Sequence, residues 1–145
     1  MKTAVRVRRV SSKKELEQAF SIRLRVFVTE QGVPKAIEMD GDDERALHFL
    51  AFVGEKPVGT ARVVMAHRRA KIGRMAVLKS CRGRGVGKEL LKRAVATARR
   101  RGAEMIYLHA QVPVVGFYEI LGFQCAGPVF KEAGIPHRKM ILVCP

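Results

Sequence analysis

Cys81-Arg-Gly-Arg-Gly-Val-Gly-Lys-Glu-Leu-Leu91, CRGRGVGKELL, sets three glycines and three basic residues in its first eight positions and then runs into apolar periodicity. A glycine-rich turn between a strand and a helix exposes backbone N–H groups at the positive end of the helix dipole, which makes a phosphate site. The flanks supply both elements. Upstream, Lys71–Leu78 (KIGRMAVL) is a β-rich run. Downstream, Val86, Leu90, Leu91, Ala94, Val95 and Ala98 form one stripe opposed by Lys88, Lys92, Arg93 and Arg99, and Gly102 stands as the C′ residue. Register excludes two nucleotide motifs. The P-loop pattern needs glycine where Arg82 stands and a hydroxyl where Glu89 follows Lys88. The dinucleotide pattern needs its third glycine where Lys88 stands.

Outward from this stretch, Thr3–Val10 alternates and predicts a strand, and Ser11 or Ser12 offers an N-cap with Glu15 at capping-box spacing. Leu16, Ala19, Phe20, Leu24 and Phe27 carry a first helix to about Phe27, before Gly32 and Pro34 break the pattern. Glu38–Glu44 (EMDGDDE) holds five acids and reads as a loop. His48–Val53, Val58–Ala66 and Lys71–Leu78 then read as an antiparallel meander with turns at Gly54–Pro57 and His67–Arg69. After the 86–102 helix come a strand over Met105–Ala110, a short helix from Pro113 to about Leu121, and strands near Phe123–Ala126 and His137–Val143. A strand-helix-strand crossover makes the fifth strand parallel to the fourth. The expected fold is α/β: one domain over residues 1–145, with a mixed parallel/antiparallel twisted sheet of about six to seven strands and helices on both faces.

Bulk composition narrows function less. A net charge of +15 points to a polyanionic partner such as nucleic acid, a membrane surface or a phosphate-rich cofactor, or to a solvated basic surface. A nucleic-acid module is weakly supported, because aromatics make up 6% with no tryptophan and no basic run is interleaved with aromatics for stacking. No apolar run has the length of a membrane span and no signal-like segment follows the basic N-terminus, so the expected location is cytoplasmic. Cys81, Cys125 and Cys144 have neither disulfide nor zinc spacing and are expected to be reduced thiols, with no metal bound.

The motif that Arg82–Gly87 does fill is [Q/R]-x-x-G-x-[G/A]. About thirty residues on stands Phe117-Tyr-Glu-Ile-Leu-Gly-Phe123, an F-Y-x-x-x-G-F segment, and Arg23–Pro34 (RLRVFVTEQGVP) and Gly134-Ile-Pro-His137 add outer matches. Together these resemble the GNAT superfamily of acyl-CoA-dependent N-acyltransferases, in a branch of small prokaryotic proteins, over nearly the whole chain. The resemblance implies an N-acetyltransferase that moves acetyl from acetyl-CoA to a small-molecule or peptide amine. It also implies a pyrophosphate bound by Arg82, Gly83, Arg84, Gly85, Val86 and Gly87, and a splayed fourth strand whose Met75, Ala76 and Val77 present backbone groups to pantetheine and acyl. Tyr118 matches the family's usual general acid. GNAT domains often form homodimers.

Coenzyme A carries a further 3′-phosphate, for which Lys79, Lys88 or the arginines at 99 to 101 are candidates. An amine protonated at neutral pH needs a base. Glu30, Glu38, Asp40, Asp43, His48 and His137 are the candidates, with Glu30 beside the groove that accepts the amine in GNAT folds and His48 opening the second strand. Five of the 13 acids fall within 38–44, so Asp42 and Asp43 are expected to attract a cationic acceptor. A non-catalytic acyl-CoA sensor keeps the same fold and stands as the alternative, with the nucleic-acid module behind it.

Overall fold

The computed structural model describes residues 4–143. Thr3, at the start of the expected first strand, and Cys144 lie outside that range. Eight strands form one mixed sheet: β1 (Val5–Arg9), β2 (Leu47–Val53), β3 (Lys56–Ala66), β4 (Arg69–Val77), β5 (Met105–Gln111), β6 (Phe123–Cys125), β7 (Phe130–Glu132) and β8 (Ile135–Leu142), in the order β1-β2-β3-β4-β5-β8-β6, with β7 also on β8. β1 to β4 pair antiparallel, β4 and β5 parallel, and β8 antiparallel to β5, β6 and β7. The expected mixed α/β sheet is therefore present with one more strand than anticipated. That strand, Phe-Lys-Glu, is three residues long, too short to show alternation.

Helix α1 (Lys13–Arg23) starts at Ser12, whose hydroxyl accepts the Glu15 N–H at 3.1 Å, while the Glu15 carboxylate accepts the Ser11 N–H at 2.9 Å. The helix does not end near Phe27. It widens into a π-helical segment over Leu24–Glu30 before the chain turns at Gln31 and Gly32; such widening frequently marks functional segments. A single turn, α2 (Lys35–Glu38), follows. Helix α3 (Val86–Arg100) buries Val86, Leu90, Leu91, Ala94 and Ala98, all at 2% exposure or less. Each large aliphatic side chain so buried contributes about 1.5–3 kcal/mol. The Gly102 N–H bonds the Arg99 carbonyl and the Ala103 N–H that of Ala98, closing the helix as its glycine predicts. Helix α4 (Val115–Ile120) is shorter than expected because Pro113 sits in a separate tight turn before it.

The alternation of β2 divides the interior in two. Phe49 and Ala51 face the α3 side with Val63, Ile72 and Leu108, whereas Leu50 and Phe52 face the α1 side with Ala19, Ile22 and Val26. Helices thus cover opposite faces of the sheet.

Two local irregularities position the site. Thr60 pairs with Ala76 and Arg62 with Gly73, so Ala61 of β3 opposes both Arg74 and Met75 of β4. That is a β-bulge, and Arg74 occupies it with φ +52°, a left-handed conformation that costs a non-glycine residue about 1–2 kcal/mol. A bulged strand bends and twists. β4 accordingly parts from β5: their pairing covers only Arg69–Ile72 against Met105–Leu108, and Gly73–Val77 have no partner on β5.

Candidate active site

Where β4 and β5 part, a cleft of about 810 Å3 passes through the sheet. Its α3 side is lined by the glycine loop, the end of β4, Phe117 and Tyr118; its α1 side by Arg62, Lys71, Arg74, His109, Glu132 and His137.

The glycine loop is shaped by its own residues. Gly85 is the N-cap of α3 at φ +83°, a region open to glycine without strain. A Cβ on Gly87 would lie 3.4 Å from Phe117 Cζ, so the two motifs separated in sequence touch across the cleft. The first-turn N–H groups of α3 lack intrahelical partners, and its dipole favours an anion there. This cradle fits a pyrophosphate. Val86 and Lys88 also border it, with Met75, Ala76 and Val77 continuing the wall along the free edge of β4.

The two arginines of the loop are placed differently. Arg82 lines the cleft with its guanidinium committed to chain atoms: Nε donates to the Val77 carbonyl at 2.9 Å and Nη2 to both Glu30 oxygens at 2.9 and 3.0 Å. Arg84 is exposed and is not among the lining residues. Arg99 and Arg100, candidates for the 3′-phosphate, close the far end of α3, about 22 Å along the axis from the loop at 1.5 Å per residue.

Tyr118 lies on α4 with its ring edge-on to Phe117 and Phe123. It is 7% exposed and borders the cleft. Burial pushes its phenol up to about 12, so it stays protonated throughout the working pH range.

The acidic segment 38–44 is largely paired with arginines; of the two expected acceptor residues Asp42 lines the cleft and Asp43 does not. Arg23, 0% exposed, donates Nε to Glu38 at 2.7 Å and its terminal nitrogens to Asp43 at 2.7 and 3.2 Å. Arg62 grips Asp40 at 2.7 and 3.0 Å and Asp43 at 3.0 Å, and Arg74 grips Glu38 and Asp40. Asp42 is salt-bridged to Arg45. Hydrogen bonding to Arg62 holds Asp40 below the usual carboxylate range. Burial alone would raise Asp43, but the bonds and charges of Arg23 and Arg62 outweigh it and leave it lowered. Carboxylates so held are poor proton acceptors at neutral pH, and four arginines cancel most of their field. The fold uses this segment to tie α1, α2, β3 and β4 together.

Glu38, Asp40 and Asp42 border the cleft, but the two foremost base candidates, Glu30 and His48, are not among its lining residues. Glu30 is the partner of Arg82. His48 is buried on β2 under the acidic segment: its Nε2 meets the Asp43 carbonyl at 3.0 Å, its ring meets Phe20 edge-on, and burial holds its pKa below the usual histidine value. A neutral imidazole shielded from the cleft has no route to an acceptor there.

His137 does line the cleft, together with two residues that no motif marks: His109 on β5 and Glu132 on β7. The β5–β8 register sets Tyr107, His109 and Gln111 on the face opposite Leu108. His109 Nδ1 lies 2.9 Å from Glu132 Oε1, and His137 Nε2 lies 3.7 Å from Glu132 Oε2. The hydrogen bond to His109 is the main reason the Glu132 carboxyl falls to about 2, aided by the charge of Lys71. The strand alternation of MIYLHAQ was the available signal for His109; Glu132 had none, because β7 itself was illegible.

Among the described residues no group of three or more His, Cys, Asp or Glu side chains is disposed to hold a metal, and no helix is long and apolar enough to cross a membrane. Residues 9–144 match the family model described as an acetyltransferase (GNAT) domain. The chain is 38% identical over 131 residues to the uncharacterized N-acetyltransferase YjcF of Bacillus subtilis (strain 168), covering 90% of this chain and 94% of that protein. The crystal structure of Escherichia coli ElaA superposes with a TM-score of 0.84 at 28% identity, over 95% of this chain and 99% of that one. An acyl-CoA N-acyltransferase from Pseudomonas aeruginosa superposes with a TM-score of 0.82 at 27% identity, over 97% and 99%.

Proposed function

This chain belongs to the GNAT acetyltransferase family and is an acyltransferase, and on that premise we propose that it moves an acetyl group from acetyl-CoA to a primary amine by direct attack on the thioester. The observation that carries the reading is the meeting of the glycine cradle, the free edge of β4 and Tyr118 in one cleft. Acetyl-CoA supplies an acyl group activated as a thioester; the chain's residues hold, orient and polarise it.

The N-terminus of α3 and the backbone at Gly83, Gly85 and Gly87 hold the pyrophosphate, with Lys88 adding positive charge. Arg82, fixed by Glu30 and the Val77 carbonyl, braces the loop against β4 and lends its charge to the same anion. Those N–H groups of Met75, Ala76 and Val77 that face the gap donate to the carbonyl oxygen as negative charge builds on it. Tyr118, protonated up to about 12, donates to the sulfur as the thiolate departs. The amine enters from the α1 side, because the phosphate cradle occupies the other.

Thiol release from acetyl-CoA is measured with a fixed panel: a peptide α-amine, a lysine peptide, spermidine and glucosamine. Release that requires an amine is the expected result. Cofactor binding without release from any of them would identify a sensor, and DNA binding with no affinity for acetyl-CoA would identify a nucleic-acid module; either overturns the assignment.

A further inference from the structure

We infer that His109, oriented by Glu132, is the group that takes the proton from the incoming ammonium. The inference rests on the acetyl-transfer reading and assigns the base that reading lacks. His109 is the first residue of β5 beyond the last β4–β5 pair, Ile72 with Leu108. It therefore stands where the gap opens, on the α1 side of the sheet, away from the phosphate cradle.

Its chemistry follows from its partner. Glu132 is ionised at any working pH and accepts hydrogen bonds only. The 2.9 Å bond to His109 Nδ1 therefore requires a proton on Nδ1, so that the lone pair of the neutral ring is on Nε2. Phe130, edge-on at 5.0 Å, fixes the ring plane. His137 is the weaker choice: its Nδ1 is held by the Ile135 carbonyl at 2.6 Å, it is 6% exposed, and its Nε2 faces Glu132. The other carboxylates of the cleft are bound to arginines. Around His109 stand Lys71 on β4, Tyr107 on β5, Glu132 on β7 and His137 and Lys139 on β8, with Arg74 and Glu38 across the cleft. Three cations among these neighbours favour loss of the proton from the ammonium; Glu132 favours its arrival at His109.

The step balances. The ammonium gives one proton to His109 Nε2, which passes it to water. The nitrogen lone pair forms the C–N bond, and the C–S bond breaks with its electron pair going to sulfur. The thiolate takes the Tyr118 proton, and the second proton lost by the nitrogen restores that phenol. One proton is released per amide formed.

His109→Gln and Glu132→Gln are assayed from pH 6 to 10 with the panel amine that the wild type turns over fastest. At pH 7, kcat/KM for the amine falls about 10²-fold in H109Q and about 10-fold in E132Q. The H109Q deficit shrinks as the pH rises towards the pKa of the amine, about 10.4 for a lysine side chain, while acetyl-CoA affinity stays within about twofold. Independently of activity and of any ligand, long-range 1H–15N spectra of the wild type show His109 as the Nδ1–H tautomer, and E132Q adds the Nε2–H form. A wild-type pH profile in H109Q, or an Nε2–H tautomer in the wild type, overturns the assignment of the base while leaving acetyl transfer intact. A wild type that releases no thiol with any amine of the panel overturns both.

Discussion

The two sides of the cleft are built in different ways. The side proposed to hold phosphate is almost contiguous: six residues of one turn and the first turn of α3 make it, with Phe117 closing over Gly87. The proposed acceptor side is assembled from α1, α2, β3, β4, β5, β7 and β8, and the bonds that Arg23, Arg62 and His109 make there join residues at least 15 positions apart. A site made of backbone N–H groups needs glycine and a helix end, which are local properties. One made of side chains needs a finished sheet.

The contrast can be broken from either side. Arg23→Met strikes the acceptor side hardest: it takes from buried Glu38 and Asp43 one of the two arginines that each holds, and removing one member of a buried ion network costs about 3–5 kcal/mol. Urea unfolding should show that loss in global stability. An unchanged midpoint would mean that the network is dispensable. Gly85→Asp strikes the phosphate side, adding negative charge to the cradle and a Cβ at φ +83°. Calorimetry should show acetyl-CoA affinity lowered about 100-fold, near 2.7 kcal/mol, and retained affinity would remove the loop from the cofactor site.

Tyr118→Phe probes the seam between the sides. Loss of the hydroxyl should lower kcat about 100-fold, the low end of the usual range for a proton donor, with acetyl-CoA affinity within about twofold. Because the phenol titrates near 12, the wild-type rate should show no alkaline decline from this group below pH 10. The smallest effect separates the sides by pH. Asp40, Asp43 and Glu132 all have folded pKa values below their unfolded ones, so their contribution to stability is complete above about pH 4.5 and is lost as pH falls through the folded values. Unfolding followed at pH 7, 5 and 3 should show this decline, and Asp43→Asn should flatten it.

How much of each region was legible follows the same division. The Ser12 cap, the α3 stripe, the Gly102 terminator and the glycine-rich turn before α3 were readable because each partner lies within a few residues. The acidic run was visible and its arginine partners were not, since they stand at 23, 62 and 74 and only folding brings them together. Glu30 and His48 were plausible bases by residue type, yet one is spent on Arg82 and the other is sealed beneath Asp43. His109 passed as an ordinary strand residue.

By itself, then, the chain's sequence determined most of the helices and longer strands, the parallel crossover and the glycine-rich turn ahead of α3, because these follow from local periodicity, glycine geometry and helix dipoles. Tertiary structure alone decided where β4 leaves β5, which acids are cancelled by which arginines, and which histidine meets a carboxylate in the open cleft. The reason is register. A bulge at Arg74 and a three-residue strand at 130–132 place side chains that no spacing along the chain could pair.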